Sequence, residues 1–544
     1  MCRARLTSVP LVWRSSVLLG GLLIAVALLA GSHAANASSV TSRILSVAEG
    51  EHTGDFFGTS VAWVGDVNGD GYDDFLIGAF RYPEIQSHGK GYLYFGGPAL
   101  DAVEDLVIPP PAGNVGWFGV SVASAGDFNG DSYADFIIGA QNSGNEGKAF
   151  IYYGGPSLDA TPDLTLTGES TGALTAFGAS VASAGDVNED GFDDVIVGAP
   201  GYALGGSGTG RAYVFFGGTV PDAVPDLVFT AVGAYDQLGS VVGSAGDMNG
   251  DGHPDVCASA PYNDVGGLNT GAIYVWFGGP ALDATPDLTL LGSGAGERLF
   301  QAANAGDVNA DGFSDLIGAG KDHVYVWFGG SHPNAVPDLT LGRTNATVAG
   351  AGDVNGDGID DFVVGVEYDG SGGHVAVFFG GSTVDTAEDL QYVGDRPGAG
   401  IGIWVAGGGH VDGAGPSDVI ASAYWDPESV GYDKGLVYVF GNSFAPTAVT
   451  PTPTSGLEFA GARPNPAWND VNFVLALDHS VPVRITVYDL AGHEVARPIG
   501  DEWLVGRVTR SWQPRALPSG VYYVSAKLGD REQVRKLVWL GHRR

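Results

Sequence analysis

The chain has 544 residues with a formal net charge of −37, 88 glycines and two cysteines. That much negative charge argues against nucleic acid or an anionic membrane surface as partner. Glycine far above ordinary usage, without a Gly-X-Y period, excludes collagen and fits a fold with many tight turns; two cysteines exclude a disulfide framework.

Residues 1–37 carry Arg3, Arg5 and Arg14, the apolar run Val17 to Gly31, and small residues ending at Ala34 or Ala37. This order reads as a secretory signal peptide. The apolar run is short for a membrane span of about 20 residues, so no membrane insertion is expected once the signal is removed. Cys2 leaves with the leader, and Cys257 is expected to be a small core residue rather than a nucleophile.

From Asp66 onward one pattern returns: Asp66-Val67-Asn68-Gly69-Asp70-Gly71-Tyr72-Asp73-Asp74, with copies starting at Asp127, Asp186, Asp247, Asp307 and Asp353 and a damaged one at His410. Intervals of about 60 residues, shortened once before Asp353, mark a repeat architecture. Each intact copy offers oxygen side chains at positions 1, 3, 5 and 9 and the backbone carbonyl of position 7. The candidate metal ligands are therefore Asp66, Asn68, Asp70, Tyr72 and Asp74 in the first unit, and Asp127, Asn129, Asp131, Tyr133 and Asp135 in the second. Asp186, Asn188, Asp190, Phe192 and Asp194 follow, then Asp247, Asn249, Asp251, His253 and Asp255. Asp307, Asn309, Asp311, Phe313 and Asp315, and Asp353, Asn355, Asp357, Ile359 and Asp361, complete the set. A hard cation that takes six to eight oxygens suits such a loop, which predicts about six calcium ions. An EF-hand is excluded, because position 12 is never the Glu it requires and a strand-like run such as Phe75-Leu76-Ile77 follows the loop. The seventh copy has His410, Asp412 and Ala414 where Asp, Asn and Asp stand elsewhere, and no metal is assigned to it.

Each unit reads as four strands: one of small residues before the loop, an apolar one after it, an aromatic one such as Tyr213-Val214-Phe215, and one beginning at an Asp-Leu pair such as Asp163-Leu164. Four-stranded units repeated radially make a propeller. The first three strands occur seven times and the Asp-Leu strand six; Arg43-Ile44-Leu45-Ser46-Val47 is expected to complete the seventh unit by pairing with Leu436 to Phe440. The fold class is thus all-β, a seven-bladed propeller over 38–443, then a Pro/Thr-rich linker at 444–456 and a small β-sandwich at 457–544.

Phe57-Gly58 before the loop and Gly78-Ala79-Phe80 after it, or Phe177-Gly178 and Gly198-Ala199-Pro200, resemble the FG-GAP repeats of integrin α-subunit propellers. The resemblance covers about residues 43–443 and implies a calcium-binding propeller used in adhesion or ligand recognition. Units six and seven lack a clear FG. In the tail, Pro464-Asn465-Pro466, Val487 to Gly492, Pro518 to Tyr523 and Arg535 to Val538 resemble C-terminal sorting domains of the type IX secretion system and the Ig-like domain of flagellar hook-capping proteins. That implies export through secretion machinery to the cell surface or the medium.

No nucleophile elbow, zinc-protease helix or phosphate loop occurs. Tyr82, Tyr202, Tyr262, Tyr368 and Trp425 follow the second strands and are expected on one face, where they either bind a protein or glycan ligand or cap their own units. The reading is a non-enzymatic recognition or adhesion module with an extracellular protein or glycan partner. The alternatives are a hydrolase acting on polysaccharide or phospholipid, and a purely structural surface component.

Overall fold

In the computed structural model the described residues are 40–544 without 53, 83–87, 99, 114, 204–207, 232, 367–372, 397–398, 414, 424–433, 445–456, 464–466, 469–470, 489–492, 515–516, 530 and 542–544. The leader, Tyr368, Ala414, Trp425, the linker from Ala445 and the motifs at 464–466 and 489–492 lie outside them. Two compact units divide between Ala445 and Pro446, and no helix occurs among the described residues.

In the first unit the chain forms seven four-stranded antiparallel sheets. Phe118–Gly126, Asp135–Ala140, Lys148–Tyr152 and Leu164–Thr167 pair in sequence order, and five more sheets follow the same plan. The seventh is built from both ends of the domain. Val40–Glu49 pairs with Leu436–Phe444, which pairs with Asp418–Ala423 and then Ile401–Gly409. First strands of successive sheets are neighbours, and Phe57–Gly65 touches both Phe118–Gly126 and Ile401–Gly409, so the sheets close into the ring of a propeller.

Residue type follows position in the ring. The first strands, rich in Ser, Ala and Gly, all line one central channel of about 870 Å³, which Trp63 and Trp404 also line. The second strands are sandwiched between neighbouring sheets and are buried along their whole length in Asp74–Ala79, Asp135–Ala140 and Asp194–Ala199, which is why they read as unbroken apolar runs. The third strands carry rings into the wider outer space. Phe75 stacks on Tyr94 at 4.8 Å, Phe136 on Tyr152 at 5.0 Å and Phe362 on Phe378 at 4.8 Å, each pair directly opposite in register. Cys257 is fully buried in Asp255–Ala260, and burial pushes its thiol up to about 12.

The FG and GAP residues meet across sheet boundaries. A Cβ on Gly78 would lie 2.0 Å from the carbonyl oxygen of Gly119, and the same holds for Gly139 with Gly178, Gly198 with Gly239 and Gly365 with Gly402, each at 2.1 to 2.2 Å. At these four boundaries the motif is thus a backbone-to-backbone contact between one sheet and the next that needs glycine on both sides. Ile401-Gly402, with Gly402 at φ 100°, therefore fills the FG role in the seventh unit, where the sequence shows no clear FG. Unit four has Ser259 in place of the GAP glycine, and its hydroxyl donates to the carbonyl of Phe300 at 2.9 Å.

The second unit is a six-stranded set, Leu457–Arg463, Val471–Tyr488, Gly520–Leu528, Arg531–Gly541 and Ala467–Trp468 in that order, with Glu494–Trp512 paired to Val471–Tyr488. Phe473, Leu475, Ile485, Val524, Leu537 and Trp539 are its fully buried centre. Val471–Tyr488 runs as one continuous strand, with a register shift between Leu477 and Val481 in its pairing to Glu494–Trp512. Hydrogen bonds link all six strands.

Candidate metal-binding loops and the opposite face

In each sheet the Asp-rich loop joins the first and second strands, so in an antiparallel arrangement it shares one end with the connection between the third and fourth. The connection from second to third strand lies at the other end, with Tyr82, Tyr202 and Tyr262.

The loop is shaped by its own side chains. Asp66 Oδ1 accepts from the amides of Gly69 and Asp70 at 2.7 and 2.9 Å, and its Oδ2 from Gly71 at 2.7 Å. Asn68 Oδ1 accepts from Asp70 N at 2.8 Å and Asp70 Oδ1 from Tyr72 N at 3.0 Å. The bond from the position 5 amide to the position 1 carboxylate recurs at 2.9 to 3.0 Å in all five other intact units. The position 1 carboxylates are half-buried and those at position 5 exposed; Asp66 Oδ2 and Asp70 Oδ1 each accept one amide and keep a lone pair.

Position 9 is different. Asp74, Asp135, Asp194, Asp255, Asp315 and Asp361 are all fully buried. Asp74 Oδ2 accepts from Val67 N at 3.0 Å and Oδ1 from Gly96 N at 2.8 Å, so it ties the loop to the exit of the third strand. Burial is the main influence on the Asp74 carboxyl and pushes it up to about 7; Asp361 is pushed to about 8. Neighbouring Asp70 and Asp66 add to the rise at Asp74, and the amides oppose it. A divalent ion would reverse that balance by favouring the charged form.

Among the described residues no three His, Cys, Asp or Glu side chains are grouped closely enough to hold a metal ion. The carboxylates are turned onto amides instead. The donor set nonetheless suits calcium: oxygen only, alternating along a preformed turn, and at Asn309 a buried Oδ1 without a hydrogen-bond partner.

Neighbouring loops are keyed together. Gly155 N donates to Val67 O at 2.7 Å, and equivalent bonds run from Gly218 to Phe128, Gly279 to Val187, Gly330 to Met248, Gly381 to Val308 and Gly97 to Val411, all 2.7 to 2.9 Å. The position 7 ring of one unit also covers position 4 of the preceding one. A Cβ on Gly69 would lie 2.5 Å from Tyr133, on Gly130 2.2 Å from Phe192, on Gly250 2.2 Å from Phe313 and on Gly413 2.6 Å from Tyr72. Where the following position 7 is His253 or Ile359 instead, position 4 is Glu189 or Ala310, both held at positive φ. No single-loop reading of the sequence reveals this pairing; comparing position 4 with position 7 of the next copy does.

At the opposite end the closure varies from unit to unit. Tyr202 is only 3% exposed and the guanidinium of Arg211 lies 3.8 Å above its ring, itself paired with Glu169 at 2.7 Å. Tyr82 is covered by Lys90 Nζ at 3.5 Å, which pairs with Glu51 at 2.7 Å. Tyr262 has Arg298 at 5.3 Å, while buried Asp236, Asn263 and Tyr274 form a hydrogen-bonded chain beside it at 2.9 and 3.0 Å. In unit five the 4% exposed Glu297 holds the His323 amide at 3.0 Å and its ring nitrogen at 3.2 Å.

Comparison with known proteins agrees with this geometry. The FG-GAP repeat family matches residues 57–95, 118–152, 177–215 and 238–276, the first four units. A secretion system C-terminal sorting domain matches 463–539. Integrin alpha-5 of Xenopus laevis is 33% identical over 240 residues, 41% of this chain and 22% of that protein. Integrin alpha-IIb of Mus musculus is 34% identical over 232 residues, 39% and 21% respectively. Integrin alpha-8 of Gallus gallus is 29% identical over 299 residues, 48% and 28%. The chain therefore spans between a fifth and three tenths of the length of these relatives. The sorting domain marks it for export by the type IX route to the cell surface or extracellular space. The chain carries FG-GAP repeats similar to those of integrin α-subunits, in sheets that close into a propeller ring, followed by a secretion system C-terminal sorting domain.

Proposed function

We propose that this protein is a surface recognition or adhesion module whose propeller is held by about six calcium ions, one in each loop from Asp66 to Asp361. The observation that carries the metal is the sixfold return of one oxygen-only donor set at one end of the sheets, with the same internal hydrogen bonds each time. Positions 1, 3, 5 and 9 with the position 7 carbonyl would hold each ion, whose part is structural. The similarity to integrin α-subunits supports a binding role over a catalytic one, with an extracellular protein or glycan as partner. The division into a signal peptide over 1–37, a propeller over 38–443 and a sorting domain from 457 belongs to the same proposal.

A binding screen of the mature protein against glycan and matrix-protein arrays, with calcium or chelator, tests the recognition role; hydrolysis of the arrayed glycans or of phospholipid, without stable binding, would favour the enzyme alternative. Removing residues 457–544 should leave propeller melting and calcium binding unchanged and abolish surface display. Normal display of the truncated protein would overturn the sorting role.

A further inference from the structure

Among the described ion pairs, the only loop carboxylate at a ligand position that meets Arg or Lys is in the damaged seventh copy. Arg43 Nη2 donates to Asp412 Oδ2 at 2.6 Å, with Asp412 11% and Arg43 57% exposed at the side chain. Arg43 comes from the strand that begins the domain, and its arrival there has a structural cause. The ladder between Val40–Glu49 and Leu436–Phe444 continues past Ile44↔Phe440 through Arg43↔Gly441 to Val40↔Phe444. The corresponding outer ladder of unit two stops at Ile151↔Leu164. The N-terminal strand thus overshoots toward the loop end, bulging at Leu45, which packs where a side chain on Gly441 would stand.

We infer that the Arg43 guanidinium is a tethered substitute, in the seventh loop, for the cation proposed in the other six, so the sheet joining the two ends of the ring is locked without metal. The inference rests on the calcium reading above. His410 and Ala414 remove two acids and leave Asp412 and the fully buried Asp418. Charge is conserved by the exchange: three carboxylates with a divalent ion leave one negative charge, and so do two carboxylates with one guanidinium. The rest of the loop scaffold is retained, since Asp418 Oδ2 still accepts from Val411 N at 2.9 Å and Gly97 N still reaches Val411 O at 2.7 Å. Asp73 of unit one also accepts from His410 N at 2.8 Å, so the loop remains keyed to its neighbour.

Two measurements on the mature full-length protein test this. In chelator, a cycle of Arg43→Gln, Asp412→Asn and the double variant should show coupling, each single change lowering Tm by about 1–2 °C and the double no more than either. Additive shifts, or none, would overturn the lock. In equilibrium dialysis against calcium, His410→Asp/Ala414→Asp with Arg43→Gln should bind one ion more than the wild type, and restoring Arg43 should weaken that ion at least tenfold. A wild type that binds about six and a triple variant that binds no more would overturn the substitution. A wild type that binds none would overturn the calcium reading instead, while the chelator cycle still decides whether Arg43 locks the loop.

Discussion

The two ends of the propeller sheets are built on opposite plans. At the loop end, six copies repeat the same side-chain and backbone bonds almost atom for atom, and each is keyed to the preceding one through the glycine after its third strand and, in four of them, through its position 7 ring. At the other end the described units vary: a Lys or Arg over a Tyr and paired with a Glu in units one and three, a buried Asp–Asn–Tyr chain in unit four, and a buried Glu under a His in unit five. Repetition is what a common small ligand requires. Divergence is what a surface shows when each unit is free to meet something different.

The largest expected effect is on the repeated end. With calcium near 1 mM and site dissociation constants of roughly 0.01–0.1 mM, each ion would stabilise the fold by about 1.4–2.7 kcal/mol. Six independent sites would contribute on the order of 8–16 kcal/mol, as much as a whole domain's stability. Calorimetry in chelator should therefore show a steep fall in Tm; a melting curve indifferent to chelator would end the calcium reading.

Next come single loop changes. Asp194→Ala removes a proposed ligand and strands the amides of Val187 and Gly217 that its carboxylate holds at 3.0 and 2.8 Å. It should cost about 3–5 kcal/mol, read by urea denaturation in calcium. Asp190→Ala, at an exposed position proposed as a ligand, should cost about 1–3 kcal/mol, and nearly nothing in chelator. Equal losses for Asp190→Ala with and without calcium would mean that the residue shapes the loop and holds no ion.

Keying between units has its own test. Gly130→Ala and Gly191→Ala both place a side chain at positive φ, but a Cβ at 130 meets Phe192 at 2.2 Å while one at 191 meets nothing within 4 Å. Gly191→Ala should cost about 1–2 kcal/mol and Gly130→Ala about 1–3 kcal/mol more, because the ring of the next unit must move. Equal costs would show that the rings merely rest on the loops.

At the divergent end effects should be small. Arg211→Met removes a partly exposed pair with Glu169 and the cation above Tyr202, for about 0.5–1.5 kcal/mol, the same with or without calcium. Tyr262→Ala should leave Tm within about 2 °C and weaken any ligand found in the array screen. A calcium-dependent loss from either change would join the two ends energetically and blur the contrast.

How much of this was legible depended on whether the relevant residues lie close together in the chain. The loops were, because Asp-x-Asn-x-Asp is a local pattern with a chemical meaning. The strand count was, because the Asp-Leu strand is missing once and Arg43 to Val47 stands spare. The partnership of Gly130 with Phe192 was not, since it joins different copies of the repeat. Tyr202 was placed with the recognition aromatics on sequence position alone, which carries no information on the Arg211 that covers it. Glu494–Trp512 escaped as a strand because Arg497, Glu502 and Arg510 break its apolar alternation while facing outward in ion pairs.

The pairing of Val40–Glu49 with Leu436–Phe444 sets the order in which this protein can fold. The other six sheets are made of strands adjacent in the chain, each able to form as soon as its own segment is available. This one joins segments roughly 390 residues apart, and closing so long a loop costs about 3 kcal/mol more in chain entropy than closing a ten-residue hairpin. It is the contact of highest sequence separation in the domain and the expected slow step. A chain made from its N-terminus must keep its first strand unpaired until residue 444 has emerged, with sheet edges open to other molecules throughout. Once the strands meet, the two ends of the domain lie side by side, and a chain cut between any two sheets and rejoined at the native ends would draw the same ring with its slow step moved elsewhere.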